Sequence, residues 1–274
     1  MPELPEVETI RRQLVKEVVG KRIQAVKILV PKLIKEISPA LFRKKVIGLK
    51  ITDIRRRGKY LIFDLDLRNN KPSLYLQAHL KLTGQLLYSP GPEPAIDYHI
   101  LFLFQDGSRL YYHDLRRFGG FTLRREDPEP LLNLGPEPLS PAFTFKCWKE
   151  IISGKNSRIK IFLLDQHRIA GLGNIYATEA LFRAGIHPDR RVSTLGPDEI
   201  KKLYRVIKLI LKEALKAGGT SIQDYLKPDG SYGNFQKSLF VYRRKGEPCL
   251  RCGNPVKVQK DGSRSTYFCP SCQK

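Results

Sequence analysis

Four cysteines, Cys249, Cys252, Cys269 and Cys272, fall as C-x2-C-x16-C-x2-C near the C-terminus. Paired CxxC units at this spacing offer four thiolates to one tetrahedral zinc ion, whereas two disulfides would need an oxidising compartment. A hairpin this small buries little, so a structural zinc supplies much of its folding energy and leaves its surface available for binding. That surface is basic: Arg243, Arg244, Lys245, Arg251, Lys257, Lys260 and Arg264 face few acids. A zinc ribbon for protein contacts fits the same metal chemistry, but the basic excess favours DNA or RNA. Cys147 stands alone and reads as a packed helix residue.

Three further groups could do chemistry. Removal of Met1 turns Pro2 into a secondary amine, and an α-amino group with a pKa near 8 is partly neutral and nucleophilic at neutral pH. The helix opened by Pro5 places its positive end near that amine and disfavours the protonated form, while Glu3, Glu6 and Glu8 oppose the effect. An ordinary Pro-Glu pair ahead of a helix looks the same in isolation. The stretch from Ser157 to Tyr176 reads as helix, glycine-bearing turns and a second helix capped by Asn174, a geometry that offers backbone N–H groups to phosphate. Arg158 and Lys160 would add positive charge beside it. Leu82 sits in the turn-like HLKLTG segment and Phe118 follows Arg116 and Arg117. Taken singly each suits core or surface, and taken together they are the tools that wedge into a base stack.

The elements that must hold these groups can be read from periodicity. Val7, Ile10, Leu14, Val15 and Val18 follow helical spacing between Pro5 and Gly20, giving an amphipathic helix over Glu6 to Val19. Residues 22 to 125 alternate, as in Leu61, Phe63, Leu65, Leu67 and Leu74, Leu76, Ala78, Leu80, and predict an antiparallel β domain. Pro128, Pro130, Pro136, Pro138 and Pro141 mark a stiff linker. Helical patterns follow around Phe145 to Ile152, Ser157 to Leu164, Ile175 to Ala184 and Pro197 to Ala217. Residues 218 to 238 open with two glycines, lack periodicity and read as a mobile functional loop. Domains are therefore expected at 1–130, 145–238 and 239–274, with a linker at 131–144. Lys and Arg outnumber Asp and Glu by 49 to 27, a net charge of +22 that suits nucleic acid or an anionic membrane. No run of about twenty apolar residues and no secretory pattern at the N-terminus are present, so a cytoplasmic protein is expected.

Six motifs in order resemble the formamidopyrimidine-DNA glycosylase family nearly end to end: PELPEVET from Pro2, RRGKYL from Arg56, HLKLTG from His79, DLRRFG from Asp114, DQ to GLGNIY from Asp165, and KGEPC from Lys245. The resemblance implies an α+β fold of two domains: an N-terminal antiparallel β-sandwich with flanking helices, and a C-terminal helical domain with a helix-two-turn-helix and a zinc β-hairpin finger. It implies a bifunctional glycosylase and apurinic-site lyase of base excision repair, acting on 8-oxoguanine and formamidopyrimidines in double-stranded DNA. Pro2 would attack the sugar C1′, Glu3 would be its acid/base partner, and Lys59 and Arg264 would serve the elimination steps. His79, Arg117, Lys160 and Asn174 would contact the DNA backbone. Leu82, Arg116 and Phe118 would fill the gap left by the extruded base, and the 218–238 loop would cover that base. The implied protein is a monomer carrying one zinc ion, with nucleoid-associated activity and no membrane partner. Leu82 replaces a usual methionine, Arg243 a common glycine, and Asp97 a DNA-contacting histidine. Two alternatives are an endonuclease VIII-like enzyme for oxidised pyrimidines and a non-enzymatic zinc-finger protein that recognises damaged DNA. Comparative nicking of thymine glycol and 8-oxoguanine separates the first, and an unchanged Pro2→Gly variant would support the second.

Overall fold

An amphipathic run flanked by Pro5 and Gly20 becomes α1 (Leu4–Val18), which starts two residues before the periodicity suggests because Glu3 caps it. The computed structural model describes residues 1–66, 74–91, 97–129, 132–262 and 264–274. Leu67, Pro130 and the expected boundary at 130–131 lie outside these residues. The chain divides into two units, Met1–Asn133 with Ala217–Asn234, and Leu134–Lys216 with Phe235–Lys274.

The first unit contains β1 (Ile23–Ile28), β2 (Ile34–Lys35), α2 (Pro39–Val46), β3 (Lys50–Arg57) and β4 (Tyr60–Asp66). It continues through β5 (Leu74–His79), β6 (Gly84–Ser89), β7 (Ile100–Phe104), β8 (Arg109–Asp114) and β9 (Gly120–Arg124). A four-stranded sheet ordered β1-β7-β8-β6 and a five-stranded sheet ordered β2-β9-β5-β4-β3 contribute to one apolar core. Val26, Phe102, Phe104 and Tyr112 enter from the first sheet, and Ile54, Leu61, Phe63, Leu76 and Phe121 from the second. The pairings are antiparallel except that the two-residue β2 runs parallel to β9. Helix α2 departs from the all-β reading of residues 22 to 125. Ser38 accepts the Leu41 N–H as its cap and Pro39 opens it, a start signal that the surrounding alternation obscures.

Residues 218–238 also depart from the sequence reading. Ala217–Asn234 belongs with the β unit, not the helical one, and it is a closed loop: Asn234 N–H bonds Ala217 O at 2.9 Å. Tyr225 joins the sandwich core, and Tyr88 N–H bonds Pro228 O at 2.8 Å. The second unit holds α3 (Phe145–Ile152), α4 (Ile159–Leu164), α5 (Asn174–Ala184), α6 (Pro197–Lys216) and the hairpin of β10 (Lys257–Asp261) and β11 (Arg264–Phe268). Leu203, Ile207, Ile210, Leu211 and Ala214 form the buried stripe of α6. Among the described residues no helix is long and apolar enough to cross a membrane.

Helix α1 is tied to β3 by Glu8. Its carboxylate accepts from Arg11 at 2.8 Å, Arg12 at 2.8 Å and Arg56 at 3.0 Å. Burial raises the carboxyl pKa, and the three guanidinium bonds overcome that to hold it at about 2. A depressed acid contributes stability above its unfolded pKa and loses it as pH falls through the folded value. Wild-type unfolding free energy should therefore drop between about pH 4.5 and 2 by of order 2 kcal/mol from this group, part of the gain being screened at exposed Arg12. Denaturant titrations of Glu8→Gln across that range should lack this portion of the pH dependence; an identical slope would count against it.

Candidate active site and metal centre

Pro2 is buried and sits directly before Glu3, the N-cap of α1. Glu3 and Glu6 form a reciprocal capping box, in which Glu3 N–H bonds Glu6 Oε2 at 2.8 Å. The other Glu6 oxygen accepts Thr220 N–H at 2.8 Å. One carboxylate therefore holds both the start of α1 and the beginning of the 217–234 segment. Lys59, 7% exposed, lies in the two-residue turn between β3 and β4. Gly58 supplies the positive φ of +57° that this turn requires.

His79 ends β5. Its Nδ1 accepts Lys81 N–H at 2.9 Å, so a neutral ring carries its proton on Nε2 and presents a donor there. Burial, with the nearby Lys81 and Lys59 charges, pushes its pKa down to about 3 and keeps the ring neutral. Leu82 is half-buried in the turn after β5, whereas Arg116, Arg117 and Phe118 are exposed after β8. The Arg116 guanidinium stacks over the Phe118 ring at 4.9 Å.

In the second unit, α4, a strapped turn and α5 make the helix-two-turn-helix. Gln166 Nε2 donates to Leu172 O at 2.7 Å while its Oε1 accepts Gly171 N–H at 2.9 Å. Three expectations change here. Gly173 is the N-cap of α5, and Asn174 is the first helical residue, its Nδ2 turned to Ser265 O of the hairpin at 2.9 Å. Lys160 is 1% exposed rather than set out beside the turn, and its Nζ donates to the Thr178 and Thr266 hydroxyls. Arg158 is bound by Asp189 at 2.9 Å and Asp261 at 2.7 Å, so acidic partners take up its charge. All three side chains fasten β10 and β11 to the helices, and Arg264 stands exposed at the start of β11.

Glu179 of α5 was missed by sequence reasoning. Fully buried, it accepts Phe240, Val241 and Tyr242 N–H at 2.9, 2.9 and 2.8 Å, holding the chain that leads into the cysteine segment. Burial raises its pKa against these three donors. An internal acid in an otherwise apolar helix face was the available signal. Arg243 follows with φ +63°, which accounts for a glycine being acceptable at that position.

The four cysteine sulfurs converge. Cys249 and Cys272 Sγ are 4.0 Å apart, Cys252 and Cys269 Sγ are 3.5 Å apart, and all four lie within 4.8 Å of one another. A tetrahedron with zinc–sulfur bonds of 2.3 Å has edges of about 3.8 Å, so the donor set fits one structural zinc. Asp97, His99 and His113 also offer donors within 4.8 Å of one another. There the fit fails: His99 Nδ1 accepts Asp114 N–H at 2.9 Å, so Nε2 of the neutral ring keeps a proton that a metal would have to displace.

Together these features define a two-unit helix-two-turn-helix protein with a four-cysteine hairpin. The formamidopyrimidine-DNA glycosylase N-terminal domain matches residues 1–121, the H2TH domain of the same enzymes residues 134–225, and the zinc finger found in FPG and IleRS residues 246–274. Formamidopyrimidine-DNA glycosylases of Pelotomaculum thermopropionicum and Symbiobacterium thermophilum are 42% and 45% identical over the whole of this chain, covering 99% and 89% of their own lengths. A Lactococcus lactis Fpg in complex with abasic-site DNA superposes with a TM-score of 0.90 at 36% identity, covering 99% of each chain. MutM in complex with DNA containing carbocyclic 8-oxo-G gives a TM-score of 0.90 at 37% identity, covering 100% of each. The chain belongs to the formamidopyrimidine-DNA glycosylase family.

Glu179→Gln should lower unfolding free energy by about 2 kcal/mol, since the amide must set one N–H against a backbone N–H, and thermal melts read this directly. Elemental analysis should find one zinc per chain. Cys269→Ser should lower that ratio and expose the amides of β10 and β11 to hydrogen exchange while α1 stays protected. A hairpin equally protected without metal would refute the structural role of zinc.

Proposed function

We propose that this chain is a bifunctional DNA glycosylase and apurinic-site lyase of base excision repair, removing 8-oxoguanine and formamidopyrimidines from double-stranded DNA. The observation that carries the reading is the start of α1, where Pro2 precedes the buried N-cap Glu3 and Glu6 fixes both. Full-length relatives include an enzyme bound to abasic-site DNA and one bound to 8-oxo-G DNA.

With Met1 removed, the Pro2 nitrogen bonds to C1′ while the glycosidic bond breaks, and the base leaves with that electron pair and takes up the proton that the attacking amine sheds. Glu3 delivers a proton to the sugar ring oxygen, the ring opens, and the nitrogen lone pair completes an iminium. The iminium acidifies C2′, loss of that proton expels the 3′ phosphate, and a second elimination expels the 5′ phosphate. Lys59 and Arg264 neutralise charge on those phosphates, His79 donates its Nε2 proton to the backbone, and Arg117 and Asn174 add backbone contacts. Lys160 serves through Thr266, by holding the hairpin that carries Arg264. Leu82, Arg116 and Phe118 fill the vacated stack, and the 217–234 segment covers the extruded base. Zinc contributes order to the hairpin. The enzyme works as a cytoplasmic monomer.

Borohydride trapping tests this. The processed protein should form a covalent adduct with duplex containing 8-oxoguanine, and Pro2→Gly should reduce it at least a hundredfold. A free Pro2 amine that gives no adduct would end the proposal.

A further inference from the structure

One buried carboxylate organises the two turns that bear Leu82, Arg116 and Phe118. Asp114, fully buried at the end of β8, accepts the Thr83 hydroxyl on Oδ1 at 2.5 Å. Its Oδ2 accepts Gly119 N–H at 2.7 Å and the Tyr112 hydroxyl at 3.2 Å, and its carbonyl accepts Arg117 N–H at 2.9 Å. The Thr83 oxygen in turn accepts Arg116 N–H at 3.0 Å. Thr83 therefore bridges the Leu82 turn to the Arg116 turn, donating to the carboxylate with its proton and accepting with a lone pair. Space is as restricted as bonding, for a Cβ at Gly119 would overlap the Tyr112 hydroxyl and the His79 carbonyl. Lys81 and Arg117 lie in the left-handed region at φ +51° and +55°, conformations that surrounding bonds must impose on L-residues.

The arrangement has a chemical logic. A wedge must displace a stacked base, so its side chains should not retreat when the duplex pushes back. Exposed Phe118 and half-buried Leu82 have little packing of their own to resist that. A carboxylate that accepts both a hydroxyl and backbone N–H groups in a dry interior makes each bond strong and the set mutually dependent.

We propose that Thr83 and Asp114 are positioning residues that lock the Leu82 turn and the Arg116–Phe118 turn into one block, so that all three side chains enter the duplex together. This rests on the reading of those side chains as gap fillers. It makes Thr83 a determinant of duplex activity although its hydroxyl faces the protein interior.

Thr83→Val removes the hydroxyl at nearly constant volume, and Thr83→Ser keeps it. Under single-turnover conditions Thr83→Val should slow excision of 8-oxoguanine from duplex at least tenfold, because small misplacements of positioning groups cost that much or more. Borohydride trapping on a single-stranded abasic oligonucleotide, which has no gap to fill, should stay within twofold. Thr83→Ser should recover duplex excision to within threefold of wild type. Unaltered duplex excision by Thr83→Val, or an equal fall on both substrates, would overturn the proposal. Hydrogen exchange provides a readout independent of chemistry: Thr83→Val should deprotect the Arg116 and Gly119 amides together while the amides of α1 and α6 stay protected. Persistent protection there would overturn the inference even if the wild-type chain cleaves no DNA, whereas a wild type that traps nothing would strike only the proposed function.

Discussion

The placement of Pro2 and Glu3 depends on the Glu6 carboxylate. It binds the backbone N–H of Glu3 and of Thr220, groups 3 and 214 residues away along the chain. A buried carboxylate needs donors to replace the water it has lost, and backbone N–H groups supply them without the entropy of ordering a long side chain. Satisfying Glu6 thus sets where α1 begins, where Pro2 and Glu3 sit, and how the 217–234 loop is closed. Removing the carboxylate would take one bond from each of these N–H groups.

The same device recurs. Asp114 gathers two turns of the sandwich, Glu179 gathers residues 240 to 242 ahead of the cysteines, and Glu8 gathers three arginines against α1. In a chain with a net charge of +22, acids that would otherwise offset surface cations are drawn inside and used as fasteners. The exposed shell keeps its excess of Lys and Arg, as expected of a surface that meets a polyanion by counterion release.

What the sequence disclosed follows from the range of the interactions concerned. The cysteine quartet, α1 and α6 were legible because their determinants repeat over a few residues. Helix α2 was not, although Ser38 and Pro39 announce it, since a short helix is outweighed by strand alternation on both sides. Asn174 has the right chemistry for an N-cap, but a contact with Ser265, 91 residues on, turns its side chain elsewhere and leaves Gly173 to cap. Lys160 reads as a surface cation until Thr178 and Thr266 are brought over it. The 218–238 segment has no period, and its closure rests on Glu6 and Tyr225, which no local pattern reveals. Glu179 left one signal, an acid within an apolar helix face, whereas the fastening roles of Glu8 and Asp114 have no signature until their partners are known.

The hairpin shows how metal and hydrogen bonds divide one task. Strand β11 turns Arg264, Thr266 and Phe268 to one face, where Thr266 and Phe268 are buried and Arg264, at the tip, is exposed. A slip of one residue would carry all three side chains to the opposite face, and a two-stranded ribbon alone lacks the packing to forbid it. Ser265 is pinned by Asn174 through its carbonyl, Thr266 by Lys160 through its hydroxyl, and Asp261 by Arg158 through its carboxylate. These bonds fix register at the tip, far in sequence from Cys249 and Cys252, while the four thiolates anchor the base. Zinc alone would give an ordered base with a free tip, and the helices alone a tip on an unfolded base. The hairpin is held at both ends only when both act, so the metal and the helix-two-turn-helix are coupled in fixing the strand that Arg264 begins.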